Sequence, residues 1–279
     1  MNDLSNTMEN EQAVEAVGRC VAVVTGDFTG FSGMPRPVRM KAPGIVRDAG
    51  RSLVRAFGPV MPLDIDVFRG DGWQALLFDP AMALRAALFF RAFIISRIDH
   101  PGVDTRMAIG IGSVDYVPPG NVAAGDGAAY RTSGKLLESL TTPRRGLIRC
   151  AFAPCAMPEA ITDFTPGLFP NRSTHLPPDL TPGAAASGPG HAAIPDEEVM
   201  DALVRLAGAA GGQWRSRRAM AVEGALKGWR QAEIAANWPE FAGGPISRQA
   251  VGRHLERAGW HGIAHAVDVF EKKMAAFRR

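Results

Sequence analysis

Cysteine is scarce: Cys20, Cys150 and Cys155 are the only three in 279 residues. An odd number leaves one thiol over under any pairing, and so few point to a reduced compartment rather than a disulfide-built scaffold. Cys150 and Cys155 have no second Cys/His pair nearby, which removes a zinc site. Long apolar runs are missing too. A membrane span needs roughly 18 such residues or more, and the longest candidate, Ala81 to Ile98, is broken by Arg85, Arg91 and Arg97. The opening residues, MNDLSNTMENEQAVEAVGR, carry acids and no apolar core, so no secretory signal is expected. These absences point to a cytoplasmic protein with no membrane partner.

What remains is ordinary globular material. Hydrophobic residues make up 46% and charged residues 21%, enough apolar side chain for a core, and the length suits two domains. Charge is unevenly spread. Residues 151–199 carry one basic and six acidic groups, whereas residues 200–279 carry 13 basic and seven acidic, a net +6. The basic end permits a polyanionic partner. Between the halves, residues 158–195 hold eight of the 21 prolines. Such a segment sustains neither a helix nor a central strand. The expected division is therefore a domain over 1–156, a Pro-rich linker over 157–195 and a helical domain over 196–279.

The first half alternates strand and helix signals. CVAVVT, residues 20–25, is a β-branched apolar run suited to a strand buried on both faces. Residues 40–58 have helical spacing, residues 64–78 read as a hairpin, and residues 82–98 form a long apolar helix. RMAIGIG, residues 106–112, is a further strand, and a helix follows around 126–140. The order β-α-β-β-α-β-α predicts an α+β, ferredoxin-like domain with helices on one face of its sheet. Arg85, Arg91 and Arg97 are expected at the surface, rimming a buried helix, and Asp64 and Asp66 are expected to face solvent. In the second half, helices over 196–209 and 213–228 precede a shorter helical pair.

Asp27 closes the first strand, and Asp71 sits at the tip of the hairpin FRGDGWQALLF. In this plan their strands are neighbours at the sheet centre. Two carboxylates at one edge repel unless a cation lies between them, and such oxygen donors suit Mg²⁺ or Mn²⁺. The plain alternative is a pair of solvated turn acids. Two other phosphate motifs fail. SGKL, residues 133–136, has Leu136 where a P-loop needs Ser or Thr, and GIGSVD lacks the third glycine of a dinucleotide fingerprint.

TGDFTGFS and FRGDGWQALLF resemble the two metal motifs of class III nucleotidyl cyclases, and their acids stand 44 residues apart, as suits that family. RMAIGIGSV resembles the family's R-x-G-I-x-x-G-x-V strand, and AAGDGAAYRTSGKLLES its GD-x-V-N-x-A-A-R-L helix. The chain is more similar still to SatD-type proteins, bacterial relatives of the cyclase palm with a C-terminal helix-turn-helix. The likeness covers about residues 20–140 and 196–265. It implies a palm fold, Asp27 and Asp71 as ligands of Mg²⁺ or Mn²⁺, and Gly26, Gly30, Phe31, Gly70 and Gly72 as the frame around a nucleoside triphosphate. It also implies a homodimer. The departures are equally specific. Depending on register, the positions of the family's Asn and Arg hold Ala129 and Ser133 or Arg131 and Lys135, and Val67 replaces a base-reading lysine. Arg131 and Lys135, four apart on one helical face, read either as a substitute phosphate clamp or as a plain solvated face. Loss of such a stabiliser costs on the order of 10³–10⁵ in rate.

In the tail, Ile234, Ala235, Ile246, Ala250, Val251 and Leu255 make the inner side of a two-helix unit, leaving Arg248, Gln249, Gly252, Arg253 and Arg257 outward. Ser247 is placed as N-cap. A recognition helix needs this layout, with base readers near its start and cations for phosphates. QAEIAANW…ISRQAVGRHLERAG resembles many bacterial helix-turn-helix domains, with a turn lengthened by PEFAGGP. A helical bundle that pairs copies or closes over the palm is the alternative. His261 and His265 share a helical face without a third ligand, so no metal is expected there. Two functional readings follow: a DNA-binding regulator with a degenerate nucleotide-sensing palm, or an active metal-dependent nucleotidyl cyclase.

Overall fold

The computed structural model describes residues 18–68, 70–98, 100, 102–140, 147–153, 155 and 197–277. The Pro-rich linker expected at 157–195 lies outside the described residues. Five strands, β1 (Cys20–Phe28), β2 (Asp66–Phe68), β3 (Gly72–Leu77), β4 (Thr105–Ser113) and β5 (Ile148–Phe152), form one mixed sheet in the order β2-β3-β1-β4-β5. β1 is antiparallel to both β3 and β4, and β5 lies parallel to β4. Three helices intervene: α1 (Arg36–Phe57), α2 (Ala83–Arg97) and α3 (Ala128–Glu138). The first four strands with α1 and α2 realise the predicted β-α-β-β-α-β plan. The fifth strand was not anticipated. IRCAF is short and follows a Pro/Arg-rich stretch, so it gives little periodic signal.

Helices cover both faces of the sheet, not one. Alternate residues of β1 divide the core: Ala22 and Val24 pack with α1 and α2, whereas Val21 and Val23 join Leu76, Val122, Ala129 and Tyr130 on the α3 side. Two glycines of β4 bring α3 close. A Cβ on Gly110 would lie 2.3 Å from the Ala129 carbonyl oxygen, and one on Gly112 would lie 3.0 Å from the Ala129 nitrogen. Thus the GIG sequence, similar to part of a dinucleotide motif, serves helix-on-sheet packing.

The C-terminal segment forms α4 (Glu197–Ala210), α5 (Ser216–Leu226), α6 (Gln231–Ala236), α7 (Arg248–Arg257) and α8 (Trp260–Phe277). It does not stand clear of the sheet domain; its apolar residues belong to the same core as α1 and α2. α2 lies between the two and is apolar all round, as a helix covered on every side must be.

The arginines of α2 are correspondingly buried or half-buried, contrary to the surface expectation. Arg91 is 0% exposed, donates from Nε and Nη2 to both oxygens of Asp104 at 2.8 Å, and lies over the Trp214 ring. Its Nη1 donates to the Gly208 carbonyl. Arg85 donates to Glu271 at 2.6 Å and to the Leu226 carbonyl. Arg97 pairs with Glu223. A charge can be buried here because each finds a carboxylate outside its own helix. Asp66, expected in solvent, is half-buried and accepts from the Ala123 amide, while Asp64 is exposed and pairs with Arg51.

At the margin, Cys20 and Cys155 are joined in a disulfide, and Cys150 is the buried thiol left over. Sparse cysteine had suggested free thiols. The bridge arises because the start of β1 and the end of β5 both lie beside the end of β4. Burial pushes the Cys150 thiol well above its usual range. Among the described residues no helix is long and apolar enough to cross a membrane.

Removing one member of the Arg91–Asp104 pair strands a buried charge. Arg91→Met is expected to lower unfolding stability by about 3–5 kcal/mol, with part recovered in Arg91→Met/Asp104→Asn. Urea unfolding measures this, and an unchanged midpoint for the single variant contradicts it.

Candidate functional site

Two regions concentrate the chemistry. The first lies where β1 ends. Asp27 is the Cα partner of Gly72 on one side and of Arg106 on the other, and the Phe28 amide donates to the Asp71 carbonyl. Asp27 and Asp71 are therefore brought to one end of the sheet. Asp27 does not stand open. Arg106 donates from Nε and Nη2 to its two oxygens at 2.6 Å each. Donating these hydrogen bonds to Asp27 raises the Arg106 pKa above its usual range; burial opposes this, and the charges of Asp27 and Asp71 add to it. Nη1 of Arg106 also donates to the Leu140 carbonyl just beyond α3. Arg106 thus supplies the counter-charge of Asp27, and strand pairing rather than this cation sets Asp71 beside it.

The glycines around this end have separate duties. A Cβ on Gly26 would lie 2.4 Å from the Trp73 ring, and one on Gly72 would lie 2.7 Å from the Phe68 ring, so both make room for aromatic packing. Gly30 (φ 68°) and Gly70 (φ 85°) occupy left-handed conformations in their turns. Phe31 packs against Phe28, with ring centroids 5.5 Å apart. Phe31 and Gly70, with Arg36, Arg39, Met40 and Pro43 of α1, line a cleft of about 240 Å³. Arg36 and Arg39 carried no signal in the sequence reading, although two cations in the first turn of the next helix were there to be noticed.

Of the proposed clamp residues, Arg131 does not converge on Asp27. Arg131 pairs with Asp115 at 3.1 Å and Asp126 at 2.7 Å, past the far end of β4. From Arg106 to Ser113 alone the strand spans roughly 24 Å. Lys135 lies one turn further along α3 on its exposed side. Ser133 of α3 reaches β1 by a polar contact: its hydroxyl shares a 2.9 Å hydrogen bond with Thr25, which also accepts from Gln74 Nε2. Among the described residues there is no cluster of three or more His, Cys, Asp or Glu that would hold a metal.

The second region is the tail. The Ser247 side chain caps α7 by accepting from the Ala250 amide. Val251 and Leu255 are buried, and Ile234 of α6 joins them in the core. Arg248, Gln249, Arg253 and Arg257 are exposed on the other side. Gly252, expected outward, is half-buried because Gln231 of α6 lies over it. His254 stacks on Trp238, with ring centroids 5.9 Å apart. Burial lowers the His254 pKa, and Arg217, Arg257, Arg218 and Arg253 lower it further. The charges of Arg217 and Arg218, at the start of α5, thus reach His254 together with those of the α7 arginines. They were missed because they lie outside the two-helix unit by sequence.

A comparison with solved structures finds a guanylyl cyclase, Cya2, at a TM-score of 0.36 and 18% identity, covering 48% of this chain and 75% of that one. No family model and no curated protein matches the chain.

His254 takes up its proton less readily in the folded state than its ordinary 6.5 allows. The unfolded chain is therefore protonated first, and stability falls as pH drops through that range, levelling off below the folded pKa. His254→Gln is expected to flatten this part of the profile, read as thermal midpoints between about pH 7.5 and 5.5. Parallel profiles for the two proteins would refute the shift.

Proposed function

We propose that the chain is a DNA-binding regulatory protein of SatD-like type, in which a cyclase-like palm carries a nucleotide-sensing site and the α6–α7 pair meets DNA. The observation that carries the DNA half is the division of α7: Val251 and Leu255 pack inward while Arg248, Gln249, Arg253 and Arg257 are exposed. Side chains near the start of such a helix read base edges, and the cations along it hold phosphates. Ser247 fixes where that helix begins.

The palm half rests on Asp27 and Asp71 sharing one end of the sheet, with the Phe31–Arg36–Arg39 cleft close to Gly70. Carboxylate oxygens are the donors that Mg²⁺ or Mn²⁺ takes, and a bound ion would supply charge neutralisation for phosphate groups. Here both oxygens of Asp27 are already engaged by Arg106. In this reading a metal is held by Asp27 and Asp71 only in exchange for Arg106, and the released guanidinium is then available to an anionic ligand. The alternative, metal-dependent cyclisation of a nucleoside triphosphate, is favoured by the same pair of acids. The distance of Arg131 from them speaks against it.

The DNA half is tested by electrophoretic shift of a genomic fragment pool at low salt. The wild type is expected to retard fragments, and Arg248→Ala/Arg253→Ala to weaken binding by at least about tenfold, given about 1–3 kcal/mol per base-reading contact. No retardation at low salt, or an unaffected double variant, defeats this reading. The palm half is tested by calorimetry of Mn²⁺ and nucleoside triphosphates. Arg106→Ala is expected to bind Mn²⁺ more tightly than wild type, and Asp27→Asn or Asp71→Asn to abolish uptake. Equal and negligible uptake by wild type and Arg106→Ala removes the metal from the proposal, and a cyclic product would favour the enzyme.

A further inference from the structure

The seam between α1 and the C-terminal helices holds a cavity that belongs to neither region described above. Its volume is about 340 Å³, and it is lined by Ser52, Arg55 and Ala56 of α1 and by Lys227 and Trp229. The second wall is built by the sequence Leu226-Lys227-Gly228-Trp229. Gly228 (φ 83°) ends α5 in a left-handed turn, in which the Gly228 amide donates to the Ala225 carbonyl and the Trp229 amide to the Gly224 carbonyl. That turn folds Trp229 back over Gly224, where an added Cβ would come within 3.3 Å of the ring. It also sets the Lys227 ammonium 4.8 Å from the centre of the same ring. α2 joins the two walls: Arg85 lies over the Phe57 ring at the end of α1 and donates to the Leu226 carbonyl.

The charges here do not balance. Glu223 is buried, yet its one carboxylate serves two cations. Arg97 donates to both of its oxygens, and Lys227 donates to Oε1 at 2.8 Å. One net positive charge is left in a half-buried group, where solvent neutralises it poorly. Arg55 adds a second. It lines the cavity while staying exposed, and no carboxylate pairs with it among the described residues. A phosphomonoester carries about −1.5 to −2 charges at pH 7, so it matches this surplus where a single carboxylate does not. An arginine fork and a lysine point charge are also the donors that phosphate oxygens take.

We propose that this cavity binds a small phosphorylated organic molecule, with its phosphate between Arg55 and Lys227 and its carbon body against Trp229. The volume suits a small ligand, since such sites begin near roughly 300 Å³. Because its walls come from α1 and from the turn between α5 and α6, the occupant bridges the sheet domain and the tail. The inference goes beyond the DNA and metal readings above and does not rest on either.

The test is isothermal calorimetry of the full-length protein with phenyl phosphate, benzoate and inorganic phosphate, with tryptophan emission followed in parallel. Phenyl phosphate is expected to bind and to change the emission. Arg55→Ala is expected to weaken it by at least about tenfold, the loss of one charge-assisted contact, while keeping the wild-type urea midpoint. Trp229→Leu is expected to lose the emission change. Benzoate, with one charge, and inorganic phosphate, with no ring, are each expected to bind more weakly. No binding of phenyl phosphate by the wild type, or equal binding by Arg55→Ala, overturns the site. Benzoate binding as tightly as phenyl phosphate overturns the choice of phosphate, and inorganic phosphate doing so overturns the part given to Trp229. Binding that Arg36→Ala/Arg39→Ala abolishes and Arg55→Ala leaves intact assigns the anion to the cleft at Gly70 and overturns the proposal. None of these outcomes involves DNA or Mn²⁺, so failure here is distinct from failure of the function proposed above.

Discussion

The architecture depends on how three cations on one apolar helix are neutralised. α2 passes between the sheet and the C-terminal helices with no solvent face, yet it carries Arg85, Arg91 and Arg97. Each is matched from elsewhere: Arg91 by Asp104, Arg85 by Glu271 of α8, and Arg97 by Glu223 of α5. Two of the three partners belong to the tail, so satisfying α2 electrostatically also seats the tail on the sheet domain. Arg149 of β5 repeats the device with Asp201 of α4 at 2.8 Å. Apolar packing draws the two parts together. The ion pairs specify where, because a displaced helix would strand a charge in a medium that solvates it poorly.

That seating also arranges the charges of the tail. α5 is held against α2 by Glu223 and by Ser216, whose hydroxyl donates to the Ser96 carbonyl. α7 is held against α5 and α6 by Val251, Leu255 and Ile234. The arginines at the start of α5 and along α7 consequently act together on His254 although they lie far apart in sequence. The opposite strategy operates at the sheet end. There Asp27 receives its counter-charge from the neighbouring strand, through the direct register of Asp27 with Arg106.

Local patterns in the sequence revealed most of the elements. The β-branched run of β1, the helical spacing of α1, the hairpin and the two-faced α7 all appear where short-range periodicity placed them. What escaped was set at long range. The partners of Arg97 and Arg85 lie 126 and 186 residues away, so each arginine read alone on an apolar helix looked like a surface group. Gly110 and Gly112 showed the same limit. Their spacing of two puts both on one face of a strand, the mark of a close helix crossing, but the pattern also begins like a nucleotide fingerprint. Of the candidate site, the acids were readable from strand order, whereas the guanidinium that engages one of them required the register of β4. Around His254, the amphipathic period of α7 disclosed its own arginines and was silent about those of α5.

The bridge between Cys20 and Cys155 has a topological consequence. The Cα atoms of these residues are 5.4 Å apart across a sequence separation of 135. The chain therefore enters and leaves the sheet domain at a single point, as a loop of thread tied at its neck. Residues 20 and 155 are thereby held side by side, so a pull applied between them would load the bond and spare the strands it encloses.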